Sequence, residues 1–207
     1  MKFSKLFTYI LIPIHKPAER LRQLLEDQRR VLYGFLSLLL LGILYTITIY
    51  IGYRNGFGAV VKPFLVIPAE DYYLWETFFA LPVFIIIAIV FAGIVRLLAL
   101  TVNGNGSFED IFSVYCISIT LPMFLTMWLP ESTLMIFFPS LRATELGGFK
   151  IIPIWLDILR QVGGVVWPLV ITIIGIKRSE QINWRKSILI AIVAFISTAL
   201  FMVIFIR

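Results

Sequence analysis

The stretch TFFALPVFIIIAIVFAGIV at residues 77–95 contains no charged side chain, and Glu76 and Arg96 stand at its two ends. An α-helix rises about 1.5 Å per residue, so roughly 20 apolar residues cross the ~30 Å hydrocarbon core of a bilayer. The stretch therefore predicts a membrane-spanning helix. Because apolar residues continue as far as Val102, we place this span at residues 75–102.

The composition of the whole chain agrees with a membrane environment. The 207 residues are 60% hydrophobic and 14% charged, with a mean hydropathy of +0.95. A soluble domain has about a quarter of its residues charged, so this chain lacks the polar surface that a water-soluble fold needs. The net charge is +6, but the basic residues flank the apolar runs, which predicts contact with phospholipid headgroups and not with nucleic acid.

Five runs in all predict transmembrane helices. They are residues 31–52, 75–102, 108–130, 154–176 and 186–206. The fourth is the weakest, because only 161–176 is charge-free, between Arg160 and Lys177. Extending it upstream to residue 154 places Asp157 and Arg160 three apart on one helical face, where they can pair. A re-entrant segment is the alternative for this run.

The distribution of basic residues predicts the orientation. With five spans, twelve of the 18 Lys and Arg residues fall on the side that holds residues 1–30, the 96–110 loop and the 177–186 loop. This asymmetry predicts a cytoplasmic N-terminus and an external C-terminus, in the plasma or inner membrane if the host is a prokaryote. Eight of these cations, at the membrane surface, are predicted to contact lipid headgroups: Lys2, Lys5, Arg29, Arg30, Lys177, Arg178, Arg185 and Lys186.

Residues 1–30 predict an amphipathic segment at the membrane surface. Six apolar residues follow helical spacing over three turns: Phe3, Leu6, Phe7, Ile10, Leu11 and Ile14. Pro17 can serve as the first residue of a second helix. The apolar face can anchor in lipid or pack on the protein's own helix ends, and the pattern does not separate these. We thus predict an all-α integral membrane bundle of five transmembrane helices at residues 31–207, plus an N-terminal amphipathic interfacial helix.

The loop NGNGSFED at residues 103–110 is the most informative polar stretch. Gly104 and Gly106 permit a tight reversal with positive φ. Ser107 is predicted to cap the next helix, with Asp110 at the third helical position of a capping box and Glu109 beside it at the positive end of the helix dipole. Arg96 lies close enough in sequence to pair with this acidic pair.

Two interpretations of this loop stay open. The first is a well-capped helical hairpin with one interfacial ion pair, made of residue types that caps require. The second is a cytoplasmic docking loop or a shallow cation site, formed by Gly104, Gly106, Ser107, Phe108, Glu109, Asp110 and Arg96.

Three predicted spans contain an internal proline, and each can bend its helix by removing a backbone hydrogen bond. They are Pro82, Pro122 and Pro168. Bent helices can surround a transport path, but transporters usually carry ionisable groups at mid-membrane, and here such groups lie near the span ends. Small residues such as Gly93 and Gly163 allow close helix packing, within one chain or in a homo-oligomer.

No catalytic or cofactor motif is present. His15 is the only histidine, Cys116 is the only cysteine, and no His/Cys cluster has metal-ligand spacing. There is no GxSxG, HExxH or phosphate-binding loop. We therefore predict no enzyme activity, no metal and no cofactor.

The sequence resembles the Yip domain family, the Ypt- or Rab-interacting membrane proteins. The resemblance rests on GNGSFED at residues 104–110, Tyr115, Pro122 and the run 167–175 before a short basic loop, and it extends from about residue 11 onward. It implies five spans, a cytoplasmic N-terminus, a short exposed C-terminus and no enzyme activity. Eukaryotic members are linked to Rab GTPases, vesicle formation and membrane shaping.

The chain departs from the eukaryotic pattern in its N-terminal region. Those members carry an acidic, aromatic Gly-Pro motif before the first span, whereas here Tyr33-Gly34 is the nearest trace and no proline follows. The resemblance therefore does not carry Rab binding over, and the compact form is similar to bacterial and archaeal members. We expect a membrane-organising or partner-binding protein that acts through its cytoplasmic face. The alternative is a small transporter, channel or membrane-complex subunit with a path between spans two to four.

Overall fold

The computed structural model describes residues 3–57, 64–138 and 152–206. In the described part of the chain the helices are α1 (Phe3–Ile10), α2 (Pro17–Glu26), α3 (Arg30–Arg54), α4 (Tyr72–Leu100), α5 (Phe108–Met123), a π-helix (Phe124–Trp128), α6 (Leu129–Phe137), α7 (Ile154–Glu180) and α8 (Trp184–Phe205). The predicted all-α bundle is confirmed, and the short N-terminal helix is present.

Among these described residues, five helices are long and apolar enough to cross a membrane. They are α3, α4, the continuous stretch Phe108–Phe137, α7 and α8. The third extends past residue 130, and Pro130 lies in the first turn of α6, directly after the π-helix. The weak fourth run forms the unbroken helix α7, which is long enough for a full crossing, so the structure favours a span over a re-entrant segment.

Helix α5 is the centre of the bundle and packs against α3, α4 and α7. Every residue of α5 from Ile111 to Thr120 is buried. By contrast, only a small part of α8 is buried inside the bundle. Glycine makes the closest contacts: a Cβ on Gly34 would lie 2.8 Å from the Ser113 Cα, and one on Gly175 would lie 2.1 Å from Val114 Cγ1. Small residues therefore set the spacing around α5, as is common in membrane bundles.

Aromatic rings fill the middle of the bundle. Phe91 and Tyr115 stack with their centroids 4.0 Å apart, and Phe195 packs edge-on to Phe91 at 5.1 Å. Tyr45 and Trp128 form a second contact at 4.9 Å. Offset and edge-on pairs of this kind add to the stability that burial of the rings already provides.

The internal prolines have different surroundings. Pro82 and Pro168 lie inside uninterrupted α-helices, whereas Pro122 stands two residues before the π-helix Phe124–Trp128. A π-helical segment often marks a functional or strained point in a helix. The predicted bending at these three prolines stays a prediction.

The connections define two ends of the bundle. We call the end that carries α1, α2, the loop 101–107 and the loop 181–183 the N-terminal face. The opposite end, where α3 ends and α4 begins, is the C-terminal face.

Candidate functional site

A buried carboxylate organises the N-terminal face. Glu180, the last residue of α7, is fully buried, and its Oε2 accepts hydrogen bonds from Arg96 Nη1 at 2.7 Å and from the Gly106 amide at 2.9 Å. Arg96 also donates to the Gly104 carbonyl, and the Asn105 amide donates to the Glu180 carbonyl at 3.1 Å. The loop between α4 and α5 is thereby tied to the end of α7. We call these residues the Glu180 cluster.

The prediction of positive φ at Gly104 and Gly106 is wrong. Among the described residues near this loop, the positive φ angles belong to Asn103 (63°) and Gln181 (56°). Glycine is needed for close packing instead: a Cβ on Gly104 would lie 2.6 Å from Glu180 Oε2, and one on Gly106 would lie 2.6 Å from Ser179 Oγ. Asparagine tolerates the left-handed region better than most residues, which explains its place at 103.

The predicted capping box at the start of α5 is confirmed. The Asp110 amide donates to Ser107 Oγ at 3.1 Å, and the Ser107 amide donates to Asp110 Oδ2 at 3.3 Å. The expected partner of Arg96 is wrong, however, because Arg96 pairs with Glu180 and Asp110 pairs with Arg30 Nε at 2.5 Å. Each ion pair joins residues that are far apart in the chain. Neither pair therefore lies within the hairpin of α4 and α5.

The N-terminal segment packs on the bundle. Leu6, Tyr9, Ile10 and Ile12 are buried against α3, α5 and α7, and Trp167 Nε1 donates to the Pro13 carbonyl at 3.1 Å. Three other apolar residues of this segment do not share this contact: Phe7 of α1, and Leu11 and Ile14 of the turn after it. They are 61%, 46% and 58% exposed, and in the sequence they recur at helical spacing. We call these three residues the open stripe of α1. The segment thus has one apolar set that packs on the protein and another that is open, as the two sequence interpretations require.

Asp27 holds α1 and α2 together. Its carboxylate accepts from Lys5 Nζ at 2.9 Å, from the Tyr9 hydroxyl at 3.1 Å and from the Arg29 amide at 2.9 Å. Burial alone would raise the pKa of this carboxyl, but these donors outweigh it and hold the pKa below the usual 3.8. For Tyr9, burial and the neighbouring Asp27 raise the pKa of the phenol, so it stays a neutral donor.

Replacing Asp27 with asparagine should loosen α1 from the bundle. The lowered pKa means that the ionised carboxylate stabilises the docked segment above about pH 3.8, and that this contribution is lost as the pH falls through the lowered pKa. We expect amide exchange at residues 3–10 to rise about tenfold at pH 7, consistent with the loss of one charge-assisted bond. Hydrogen exchange with mass spectrometry measures this; Glu19→Gln, on the exposed side of α2, is the control and should change nothing. Equal exchange in D27N and in the unchanged protein would contradict the role of Asp27.

The other residues that were predicted to contact lipid headgroups lie at the N-terminal face, and their partners in the structure differ. Lys177 Nζ stands 4.7 Å from the centre of the Trp184 ring, and Lys186 Nζ donates to the Val102 carbonyl. Arg178 and Arg185 are exposed, and Lys2 lies outside the described residues. Their contact with lipid stays a prediction.

A second polar cluster lies towards the C-terminal face, and sequence patterns reveal only a part of it. The predicted pair of Asp157 and Arg160 is confirmed at 2.9 Å, but Arg160 also donates to Glu131 at 3.0 Å and to the Thr126 carbonyl at 2.9 Å. Thr126 lies inside the π-helix. On α4, Glu76 is buried and accepts from the Tyr45 hydroxyl at 2.7 Å. The signal that points to such groups is a charge inside an apolar helix.

The chemistry of both clusters is that of paired charges. Across residues 3–57, 64–138 and 152–206, no group of His, Cys, Asp and Glu side chains has an arrangement that could hold a metal ion. Cys116 is buried in α5, where burial makes it a small apolar side chain. The arrangement can bind, orient and stabilise, and these residues offer no activated nucleophile.

Comparison with known proteins identifies one family. The family model described as Yip1 domain matches residues 13–206, nearly the whole chain. No curated protein and no solved structure gives a significant match.

Proposed function

This chain belongs to the Yip1 domain family, and from that premise we propose that it is a non-enzymatic membrane protein that organises the bilayer or binds a partner through its N-terminal face, which is the cytoplasmic face. The five apolar helices make it an integral membrane protein. The proposal concerns which surface acts, and how.

The observation that carries the proposal is that α1 and the turn after it have both a packed and an open apolar surface. Leu6 and Ile10 pack on the bundle and fix the segment in place. The open stripe, made of Phe7 on α1 and of Leu11 and Ile14 in the turn, stays exposed on this fixed segment. Apolar residues that are grouped on a surface outside the hydrocarbon core usually mark a contact site. A segment of this kind binds a membrane surface or a partner.

The charges of the N-terminal face support the cytoplasmic assignment. Most of the basic residues lie in the segments at this end. They include Arg29 and Arg30 at the start of α3, and Arg185 and Lys186 at the start of α8. Cytoplasmic ends of membrane helices carry an excess of Lys and Arg, and the anionic inner leaflet attracts them.

The packing at mid-depth favours this proposal over a transporter or channel. Phe84, Phe91, Tyr115 and Trp128 are all buried and in ring contact along the middle of α4, α5 and the π-helix. A path for ions or solutes needs polar or small residues lining a gap, whereas this region is filled by rings.

The open stripe of α1 supplies the direct test. We expect overproduction of the unchanged protein to alter membrane shape, or its purification to recover a partner. Replacing Phe7, Leu11 and Ile14 together with serine should abolish the change in shape, or lower recovery of the partner at least fivefold. The reason is that three exposed apolar contacts are lost while the buried stripe is kept. The measurements are electron cryotomography of cells and quantitative affinity purification.

The matched control is the triple variant Phe7→Leu, Leu11→Met and Ile14→Leu, which keeps the stripe apolar and should behave as the unchanged protein. Both triple variants should still insert in the membrane at equal level. If the serine variant leaves membrane shape and partner recovery unchanged, the proposal is wrong.

A further inference from the structure

An open groove of about 600 Å³ lies on the N-terminal face, between α2 and the C-terminal end of α7. Its walls come from three helices and the loop after α7. They include Arg22 and Glu26 of α2, Asp110 of α5, Lys177, Arg178 and Ser179 of α7, and Gln181. The groove is separate from the open stripe of α1 and from the buried side chain of Glu180.

The groove carries an excess of available positive charge. Of its two carboxylates, Asp110 already binds Arg30 and the Ser107 amide, and Glu26 lies 3.8 Å from Arg22. Arg178 is exposed and forms no ion pair with any residue that the structure describes. Guanidinium groups match the geometry of phosphate oxygens, so this is the charge pattern of an anion site.

Ser179 forms part of the groove wall, but its hydroxyl oxygen is fully buried, and a Cβ on Gly106 would lie only 2.6 Å from it. This oxygen packs against the loop between α4 and α5 and does not reach into the groove. The groups that can bind an anion there are therefore the cations.

Trp184 sets the depth of the groove relative to the bilayer. Its ring is 49% exposed at the start of α8, with Lys177 Nζ 4.7 Å from its centre, and the exposed apolar residues Ile188 and Leu189 follow along the helix. Tryptophan at the end of a spanning helix lies at headgroup level. The groove, which shares Lys177 with this contact, therefore opens where lipid phosphates are found.

We propose that the groove between α2 and α7 binds the phosphate of an anionic phospholipid from the leaflet at the N-terminal face. Lys177 and Arg178 neutralise the phosphate, because Arg22 already lies beside Glu26. The proposal deepens the proposed function, on which it rests, by naming one class of molecule that this face holds. A choline headgroup, whose own cation cancels the phosphate charge, fits the same groove poorly.

The test uses the purified full-length chain in a nonionic detergent, with three soluble probes: dihexanoyl phosphatidylglycerol, dihexanoyl phosphatidylcholine and inorganic phosphate. Binding is followed by isothermal titration calorimetry. The groove variant is Lys177→Gln with Arg178→Gln. The matched control is Arg185→Gln with Lys186→Gln, which removes two cations from the same face outside the groove.

We expect the phosphatidylglycerol probe to bind at least tenfold more tightly than the phosphatidylcholine probe. The groove variant should weaken phosphatidylglycerol binding at least tenfold, and the control variant less than threefold. Circular dichroism confirms that each variant is folded.

Equal binding of the two lipid probes, or equal loss in the groove and control variants, would overturn the proposal. Binding of inorganic phosphate without binding of phosphatidylglycerol would assign the groove to a free anion and overturn the lipid. Loss of a protein partner in the groove variant, with lipid binding unchanged, would assign the groove to that partner instead. The calorimetry uses the purified chain and does not involve the open stripe of α1. If the phosphatidylglycerol probe does not bind, the lipid proposal fails, and the proposed function is still tested by the α1 variants.

Discussion

Replacing Arg96 with glutamine should lower the free energy of unfolding by about 3–5 kcal/mol, one of the two largest effects that we expect from a single substitution. Glu180 is fully buried, and Arg96 Nη1 at 2.7 Å is its charged partner. Removing only the cation leaves a buried carboxylate without compensation, which costs far more than an exposed pair would. Unfolding in mixed micelles of dodecyl maltoside and dodecyl sulfate, followed by tryptophan fluorescence, measures the change.

The double variant Arg96→Gln with Glu180→Gln supplies the control. It removes both charges and keeps an oxygen that can accept from the Gly106 amide, so we expect it to recover most of the lost stability. If the double variant is as unstable as R96Q alone, the defect comes from lost packing around Arg96, and the buried-charge explanation is wrong.

Replacing Gly34 with alanine should destabilise the bundle by about 1–3 kcal/mol. The new Cβ would lie 2.8 Å from the Cα of Ser113, a backbone atom that cannot rotate away, so α3 and α5 must separate. This loss exceeds the gain of up to about 1 kcal/mol that alanine offers over glycine within a helix. The same unfolding measurement tests it.

Gly93→Ala is the matched control, because Gly93 lies within α4 and a Cβ there meets nothing within 4 Å. We expect G93A to be neutral or slightly stabilising. The prediction for Gly34 would fail if both alanine variants behaved alike, since the helix spacing around α5 would then not depend on close contact at Gly34.

The number of helices that could span a membrane could be predicted because it depends on local properties alone, although the third helix runs beyond the predicted residue 130. A long charge-free apolar run predicts a membrane-spanning helix without knowledge of the rest of the fold. The capping box also needs only local information, because Ser107 and Asp110 are three residues apart. The family resemblance was also available from the sequence, through the stretch at residues 104–110, and the match to residues 13–206 confirms it.

The partners of the charged residues could not be predicted in the same way. Arg96 and Glu180 are 84 residues apart, and Arg30 and Asp110 are 80 residues apart, so each pair exists only after the helices have packed. The reason for Gly104 and Gly106 also lies across the interface, in Ser179 and Glu180. The local explanation by positive φ was wrong because the strained angles fall on Asn103 and Gln181.

The N-terminal helix shows where periodicity stops being informative. Its apolar residues share one broad face, and the pattern does not reveal which of them contact protein. In the structure, Leu6 and Ile10 are buried while Phe7 and Leu11 are exposed. The division depends on Tyr33 and Val114, which belong to other helices and form the surface beneath α1.

The central claim is that the face carrying α1 and α2 is the cytoplasmic face of a five-span protein. Labelling of introduced cysteines with a membrane-impermeant maleimide tests it most directly, because the one natural cysteine, Cys116, is buried. Gln23 is exposed on the N-terminal face and Glu70 is exposed before α4, on the opposite side. We predict that Glu70→Cys is labelled in intact cells and that Gln23→Cys is labelled only after the membrane is permeabilised. Labelling of Gln23→Cys in intact cells, with Glu70→Cys protected, would contradict the account.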